Sequence, residues 1–435
     1  GSFNTASFNT LVRPADADRG TLNLVGVLNN AGSTLLLNGA TGTLNIGGNS
    51  TSTGLISGGT VRINNADGGA LNTGYAGISG TAFGGSPYAV LSNVTLANVA
   101  GVANSGRMTI ADNGDVRVLG ALTLDNAEIT LASDGSSTYL RGTAGAWSIG
   151  GNGSILFAGS HNAVRANNVI GYTTALTLGS GVTVSGPNGG YIYFGNGGVN
   201  NGTIIAGTAG KEISLNSWNS SDVWTNAGTL HLAGGRFHAG DSFSNTGLLR
   251  GAGNFDASGR TLTNAGTIFA EGGVLNLTGN LVLTANGTLR FDIGGVERGT
   301  GHGALDVNGT LTFGGTLQVA HTNGFTPDSS EAFPLIRYTT RSGTSEFAAL
   351  NVPAGFGYGS FYGVGTYLLA TGDALPGEVN EWVSNSNGDW STGTNWSLGF
   401  APNSASMSVL IDRVGYTPTV TLSSGTWTVG ELISQ

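Results

Sequence analysis

Three short segments near the middle of the chain share one pattern, an Asn-x-Gly turn followed by alternating apolar residues. They are Thr225-Asn226-Ala227-Gly228-Thr229-Leu230, Ser244-Asn245-Thr246-Gly247-Leu248-Leu249 and Thr263-Asn264-Ala265-Gly266-Thr267-Ile268. The turn asparagines are 19 residues apart. The glycines of Asn286-Gly287-Thr288-Leu289 and Asn308-Gly309-Thr310-Leu311 extend the series from Gly266 with steps of 21 and 22. Regular spacing of this kind is typical of repeat architectures. We therefore predict that the five turns align in successive repeats.

The length and pattern of the repeat predict its fold. A period of about 20 residues is too short for a pair of helices, and the leucine-rich repeat consensus is absent. Each unit instead contains two or three short alternating strands, such as Thr229–Leu232 and Val274–Leu277. Such a unit cannot bury its apolar face alone, but stacked units bury a continuous core and pair their backbones. The sequence therefore predicts an all-β fold, a right-handed parallel β-helix (solenoid).

The residues at the turns support this fold. Asn and Gly tolerate positive φ, which we expect at sharp corners between the strands. Asparagines at equivalent positions of successive coils can also form side-chain ladders. Within the strands, the alternation predicts that Leu230 and Leu232 point inward and that His231 points outward.

Composition excludes several classes of protein. Glycine is 77 of 435 residues and charged residues are 9%, against about 25% charged in ordinary globular chains. No run approaches the ~18 apolar residues of a membrane-spanning helix, and the apolar content is too high for a disordered chain. A net charge of −9 with no basic cluster indicates neither nucleic acid nor an anionic membrane surface as a partner. The lack of cysteine excludes disulfides and thiolate sites.

The strand pattern divides the chain into three segments. We predict the β-helix over residues 1–300, with coils from about residue 10. A different pattern follows over 301–371, and a Trp-containing module occupies 372–435. Strand fragments of the β-helix type also occur upstream of the regular repeats: Thr21–Leu24, Thr34–Leu37, Thr43–Ile46, Thr60–Ile63, Ala121–Leu124 and Ala175–Leu178.

The last two segments carry a resemblance to a known group of proteins. The order of Ala304–Leu311, Gly314–Val319, Asn323–Pro327, Phe333–Ile336 and Ser342–Phe347 resembles the block that closes passenger β-helices of bacterial autotransporters and large exoproteins. The run containing Trp382, Trp390 and Trp396 resembles the module that starts a new β-helix in the same proteins. The chain as a whole resembles filamentous-haemagglutinin-like adhesins and autotransporter passengers. The resemblance implies a β-sandwich-like cap over 301–371 and a new β-helix after it.

Both ends of the sequence suggest a tandem arrangement. Thr426–Gln435 has the pattern of a first coil, and Gly1–Arg19 has the pattern of a β-helix without a polar cap. We expect head-to-tail self-association in a filament, or covalent tandem neighbours. The Asn-Pro-Asn-Gly secretion motif and a C-terminal barrel, which would complete the resemblance, are absent from the sequence.

Two groups of charged residues are candidates for chemistry, because polysaccharide lyases and hydrolases also use β-helices. Their sites need carboxylates that converge with a basic residue or a metal. One candidate group is Asp112, Asp115, Asp125 and Glu128, and the other is Asp292, Glu297, Arg298 and His302. Asp112 and Asp115 could also provide two calcium ligands. For each group a solvated turn is the simpler interpretation, so we assign no catalytic, cofactor-binding or metal-binding residue and expect no cofactor.

The remaining candidates are aromatic residues and histidines. Tyr191-Ile192-Tyr193-Phe194 is either an exposed adhesive patch or, as we favour, a buried strand. The tryptophans of the C-terminal module are either a sugar-binding platform or, as we favour, the core of a small domain. The five histidines (161, 231, 238, 302 and 321) show no spacing for zinc or for a nucleophile.

These observations predict a non-enzymatic, structural and adhesive segment of a bacterial surface or extracellular fibre protein, involved in cell adhesion or biofilm. Expected partners are further copies of the segment, and surface glycans or matrix. The alternative is a polysaccharide lyase or hydrolase on a β-helix scaffold. A trimeric phage or capsular tailspike is a third hypothesis.

Overall fold

The chain folds into β-strands with almost no helix. The computed structural model describes residues 22–47, 53–73, 88–143, 145–219, 222–328, 331–363, 365–371 and 378–434, together with Thr5. The helical elements in these ranges are two 3-10 turns, Asn65–Asp67 and Gly393–Asn395. Contacts divide the chain into two compact units, Gly1–Phe243 and Ser244–Gln435. The all-β prediction is confirmed, and the predicted coil at Gly1–Arg19 lies outside the described residues except for Thr5.

The first unit is built mostly from short strands, with two longer strands among them. They are β1 (Leu22–Leu24), β2 (Gly26–Asn29), β3 (Thr34–Leu37), β4 (Thr43–Ile46), β5 (Gly54–Ser57), β6 (Thr60–Ile63), β7 (Ala70–Thr73), β8 (Ala89–Ala97), β9 (Arg107–Ile110), β10 (Asp115–Ala132), β11 (Thr138–Gly142), β12 (Trp147–Ala158), β13 (Asn168–Gly171), β14 (Leu176–Leu178), β15 (Gly181–Ser185), β16 (Gly190–Tyr193), β17 (Val199–Asn200), β18 (Thr203–Ala206), β19 (Glu212–Asn216), β20 (Trp224–Asn226), β21 (Thr229–Ala233) and β22 (Arg236–Ala239). Strand β23 (Phe243–Asn245) spans the boundary between the units.

These strands pair in parallel and form three stacks, A, B and C. Stack A contains β1, β4, β7, β9, the ends of β10 and β12, β15, β18 and β21. Stack B contains β2, β5, the starts of β8 and β10, β11, β13, β16, β19 and β22. Stack C contains β3, β6, the end of β8, the middle of β10, the start of β12, β14, β17 and β20. The long strands β10 and β12 contribute to more than one stack.

Apolar residues align along each stack. In stack A the paired positions are Leu22, Leu44, Leu71, Met108, Ile129, Ile155, Val184, Ile204 and Leu230. All of these residues from Leu44 onward are buried. Because each side chain packs on its counterparts above and below, every added strand extends the same core. Leu230 and Leu232 are buried and His231 is half-buried between them, as the alternation predicts.

Polar and aromatic side chains also form ladders. The Nδ2 of Asn200 donates to the Oδ1 of Asn226 over 2.7 Å, and both side chains are fully buried. In the second unit, the Nδ2 of Asn245 donates to the Oδ1 of Asn264 over 2.6 Å. These bonds confirm the predicted asparagine ladders, and they satisfy polar groups whose burial would otherwise destabilise the fold.

The second unit contains longer strands. They are β24 (Leu248–Asn264), β25 (Thr267–Leu283), β26 (Thr288–Ile293), β27 (Ala304–Thr312), β28 (Thr316–His321), β29 (Ala332–Arg341), β30 (Ala349–Asn351), β31 (Gly359–Tyr362), β32 (Thr366–Ala370), β33 (Glu378–Glu381), β34 (Gly388–Asp389), β35 (Ser404–Ile411), β36 (Val420–Thr421) and β37 (Val429–Ser434). Parallel pairing continues past residue 300, through β27, β28 and β30. Antiparallel pairing begins where β32 meets β29 and β31. The predicted cap segment 301–371 therefore contains strands of both kinds.

One part of the predicted turn series is wrong. Leu248-Leu249 pairs with Thr267-Ile268, which in turn pairs with Thr288-Leu289. The turns that precede these three segments are therefore aligned. The next partner of Thr288-Leu289 is Thr316-Leu317. Leu311, which follows the turn at Gly309, pairs with Leu281 in a different stack. The turns at Gly287 and Gly309 have similar sequences but precede strand segments of different stacks. Sequence alone does not separate them, because a repeat contains more than one turn of the same composition.

The reason for glycine in the Asn-x-Gly turns also differs from the prediction. Positive φ occurs at many corners, but the turn glycines Gly228 and Gly266 do not adopt it. A Cβ atom at Gly228 would lie 2.1 Å from the carbonyl oxygen of Gly202, and one at Gly266 would lie 2.2 Å from that of Gly247. These turns therefore need glycine because the backbone of the preceding repeat lies too close for any side chain.

Candidate functional site

Stack B presents a row of aromatic and charged side chains on the face opposite the core. Leu140, Ile170, Ile192 and Leu215 align and are buried. The residues that alternate with them, together with residues of the adjoining loops, form a continuous set that we call the aromatic-arginine strip. Its members are Tyr88, Asp115, Arg117, Tyr139, Arg141, Arg165, Tyr172, Tyr191, Tyr193, Glu212, Trp218 and Arg236.

Asp115 lies at one end of the strip between two arginines. Its carboxylate accepts from the Nε of Arg117 over 3.1 Å and from the terminal amino group of Arg141 over 2.6 Å. The guanidinium of Arg117 also lies 3.5 Å from the centroid of the Tyr88 ring. Burial lowers the pKa of Arg141, but the hydrogen bond and charge of Asp115 outweigh burial and leave this pKa raised. Asp115 therefore holds both guanidinium groups in place.

Aromatic rings occupy the middle of the strip. The guanidinium of Arg141 lies 5.2 Å from the centroid of Tyr172, whose ring lies 4.1 Å from that of Trp218. Trp218 meets Tyr193 edge-on at 5.9 Å. Tyr193 and Tyr191 are stacked at 6.1 Å with an angle of 10° between the ring planes. Burial raises the pKa of the Tyr193 phenol, so its hydroxyl stays protonated.

The other end of the strip repeats the arrangement found at Asp115. The carboxylate of Glu212 lies 2.8 Å from the Nε of Arg165 and 3.0 Å from the Nε of Arg236. The guanidinium of Arg165 also lies 5.5 Å from the centroid of Tyr191. Because Tyr191 and Tyr193 adjoin this end and Arg141 adjoins the other, the contacts run without a break from Tyr88 to Arg236.

The arginines at the Glu212 end of the strip are more exposed than the carboxylate that they contact. The side chains of Arg165 and Arg236 are 38% and 44% exposed, whereas that of Glu212 is 7% exposed. Arg117 is 26% exposed and Asp115 is 14% exposed. Arg141 is as little exposed as Asp115, at 14%. At the Glu212 end, by contrast, the carboxylate lies beneath the two guanidinium groups, and the charge that reaches solvent there is positive.

The run Tyr191–Phe194 was predicted to be either exposed or buried, and it is both. Ile192 and Phe194 are fully buried in the core, while Tyr191 and Tyr193 are half-buried on the strip. The same alternation occurs at Tyr139-Leu140-Arg141, so the sequence did contain a signal for these positions. Arg165, Tyr172 and Trp218 lie outside the strands, and no periodicity could have placed them beside the tyrosines.

The first group of candidate carboxylates does not converge. Asp115 belongs to stack B, Asp125 to stack C and Glu128 to stack A. Asp112 accepts the backbone N–H groups of Asp134 and Ser136, which is the role of a turn residue. Glu128 pairs with Arg107 over 3.3 Å. The structure therefore separates residues that the sequence places within one stretch.

The second group is divided among separate ion pairs. Asp292 pairs with Arg290 at 3.2 Å, and Arg298 pairs with Asp306 at 2.5 Å. His302 is 2% exposed and its Nδ1 lies 3.3 Å from the carbonyl oxygen of Gly295. Burial lowers the pKa of His302 to about 4, so this side chain is neutral at pH 7.

Two clefts adjoin these groups. A cleft of about 560 Å³ in the first unit includes Arg107 and Glu128 in its lining, and one of about 370 Å³ in the second unit includes Glu297, Arg298 and Arg337. Each has one carboxylate among its described lining residues, whereas general acid–base cleavage of a glycosidic bond uses a pair. No group of three metal-ligating side chains was found within the described ranges.

Three of the four tryptophans of the C-terminal module form its core, and Trp427 packs against them while only partly buried. Trp382, Trp390 and Trp396 are each no more than 3% exposed and pack with Val409. The Nε1 of Trp396 donates to the carbonyl oxygen of Trp390 over 2.7 Å. Their burial confirms that these rings are structural and excludes them as a sugar-binding platform.

No known family model matches the chain, and no curated protein sequence matches it. Within the described ranges, no helix has the length and apolar character needed to cross a membrane.

Proposed function

We propose that the chain is a structural and adhesive segment of a bacterial cell-surface or extracellular fibre protein, with its stacks coiled as a right-handed parallel β-helix. The observation that carries this proposal is the unbroken apolar ladder of stack A, from Leu22 to Leu230. A core that grows by addition of repeats suits a load-bearing rod. The sequence resemblance to adhesin and autotransporter passengers supports the same function.

The coil itself is tested by an experimental structure of the full chain. A right-handed path that passes through stacks A, B and C once per turn supports the proposal. A left-handed path, or strands that close into one barrel, overturns it.

The location and adhesive role need a cellular test. Antibodies against the chain should label intact producing cells, and added protease should remove the label. Beads coated with the folded chain should be retained on biofilm matrix, while beads coated with heat-denatured chain should not. Labelling only after the cells are lysed would contradict the extracellular assignment.

We also propose that copies associate head to tail. Strand β37 (Val429–Ser434) is one of the two edge strands of the sheet formed by β33, β35 and β37, and Leu432 on it is 53% exposed. An edge strand offers unpaired backbone donors and acceptors to another strand. Electron microscopy of concentrated protein should reveal end-on chains, and isolated particles at every concentration would contradict this association.

A further inference from the structure

We propose that the aromatic-arginine strip binds an acidic polysaccharide, with sugar rings packed on Trp218 and the half-buried tyrosines and with carboxylate or sulfate groups held by the arginines. This inference rests on the adhesive function proposed above and deepens it by naming the class of ligand. All the residues that carry it lie in the first unit.

The aromatic part of the strip suits the faces of sugar rings. Trp218 is 43% exposed, and the half-buried rings of Tyr193 and Tyr191 lie beside it. Tyr and Trp combine a large apolar area with a polar group, so they bind amphipathic partners well. Such rings would contact the C–H groups of a pyranose while its hydroxyls remain hydrated.

The arginines select for an anion. Each guanidinium has five N–H donors in a planar fork that matches a carboxylate or sulfate group. A single carboxylate cannot occupy all the donors of the two arginines beside it. At Glu212 the buried acid holds Arg165 and Arg236 in place while both remain more than one-third exposed. The arginines are therefore pre-organised for a second anion, which strengthens binding by lowering the ordering cost.

The geometry of the stack suits a polymer. Tyr139 and Tyr191 occupy equivalent positions two strands apart in stack B, with the buried Val169 paired between them. Paired strands lie about 4.8 Å apart, a distance similar to the repeat of an extended sugar chain. The two arginine pairs lie at the ends of the strip and the rings lie between them, so a chain of several sugars could contact all three parts.

Charge argues against nucleic acid, the other polymer that stacks on aromatic rings and binds arginine. The whole chain has a formal charge of −9, and two carboxylates lie among the four arginines of the strip. Counting these six groups, four positive charges less two negative charges leave +2, which is modest for a nucleic-acid surface.

The test is affinity electrophoresis of the full chain in gels that contain polygalacturonate, dextran sulfate, neutral dextran or poly(dT). Retardation by polygalacturonate or dextran sulfate, reduced by added salt, supports the proposal, and the two polymers distinguish carboxylate from sulfate recognition. Three results would overturn the proposal: retardation by neutral dextran alone, retardation by poly(dT) equal to that by the acidic polysaccharides, or no retardation in any gel.

Variants then locate the binding. Trp218→Ala removes an exposed ring, and Arg236→Gln removes one cation while Arg165 remains on Glu212. Each should weaken binding about 5- to 10-fold, the effect of losing one good contact. Tyr416→Ala, at a residue of similar exposure (49%) in the second unit, is the control and should bind normally. Equal losses in all three variants would overturn the assignment to the strip. If the chain adheres to matrix but binds none of the polymers, the ligand class fails and the adhesive function stands.

Discussion

The indole ring of Trp224 lies parallel to the ring of Phe243, with 4.5 Å between the ring centroids and an angle of 5° between the planes. On its other side the same indole stacks on Phe194 at 4.6 Å and 11°. All three side chains are buried. These three stacked rings extend the core of the first unit at its last strands.

Replacing Trp224 by Ala should strongly destabilise the first unit. The substitution leaves a cavity between two rings, and such changes cost about 3–5 kcal/mol. Trp218→Ala removes the same side chain at a position that is 43% exposed, and its cost should stay below about 1 kcal/mol. Urea unfolding followed by circular dichroism measures both. Equal midpoints for the two variants would show that the run of rings contributes nothing to stability.

Gly266→Ala should destabilise the second unit by about 1–3 kcal/mol, the usual range for overpacking. The new Cβ would meet the carbonyl oxygen of Gly247 at 2.2 Å, so the stacked turns would have to separate. Gly359→Ala is the matched control, because a Cβ there has no atom within 4 Å. The thermal midpoint should fall for the first variant and change little for the second. A normal midpoint for Gly266→Ala would disprove the close-approach explanation.

Removing one member of a buried asparagine ladder should cost about 1–3 kcal/mol, because the remaining polar groups lose their partners. Asn264 accepts from Asn245 over 2.6 Å and donates to the carbonyl oxygen of Gly266 over 3.0 Å. The comparison is Asn276→Ala, which removes a solvent-accessible bond of 3.2 Å to Asn254 and should change stability by less than about 0.5 kcal/mol. Chemical denaturation of Asn264→Ala and Asn276→Ala tests the difference.

Stability should fall as the pH is lowered from about 6.5 to about 4, and His302 should cause part of the loss. Burial lowers the pKa of His302 from 6.5 to about 4. Between these values the unfolded chain binds a proton that the folded chain does not, so acid favours unfolding. The shift corresponds to ~3 kcal/mol. His302→Gln should therefore lose less stability than the natural protein between pH 7 and pH 4, measured by urea titration. Identical pH profiles for the two proteins would rule out this contribution.

Local patterns in the sequence predict the strands well, because alternation and glycine are dictated by the backbone itself. Leu230-His231-Leu232 and Asn245 with Asn264 occupy the places that spacing alone assigns them. The change of stack at Gly309 could not be predicted, since the length of each corner decides which stack the next strand joins. Turns with the same residues occur at corners of different stacks.

The candidate strip was only partly visible in the sequence. Tyr139, Arg141, Tyr191 and Tyr193 show their outward direction through alternation with buried residues. The contacts of Arg165 with Glu212 and of Trp218 with Tyr172 join residues 46 or 47 positions apart, through loops of no regular pattern. Such contacts depend on the path of each loop, which sequence spacing does not specify.

Along stack A the paired residues Val184 and Ile204 are 20 positions apart, whereas Leu71 and Met108 are 37 apart. Strand register thus survives large differences in the chain that connects the strands. A foreign peptide could be displayed at the corner that contains Gly210, where the surrounding space is open, provided that Gly210 itself is kept for its φ of 75°. The same tolerance would allow natural variants to acquire new surface loops and change what they recognise while the scaffold stays constant.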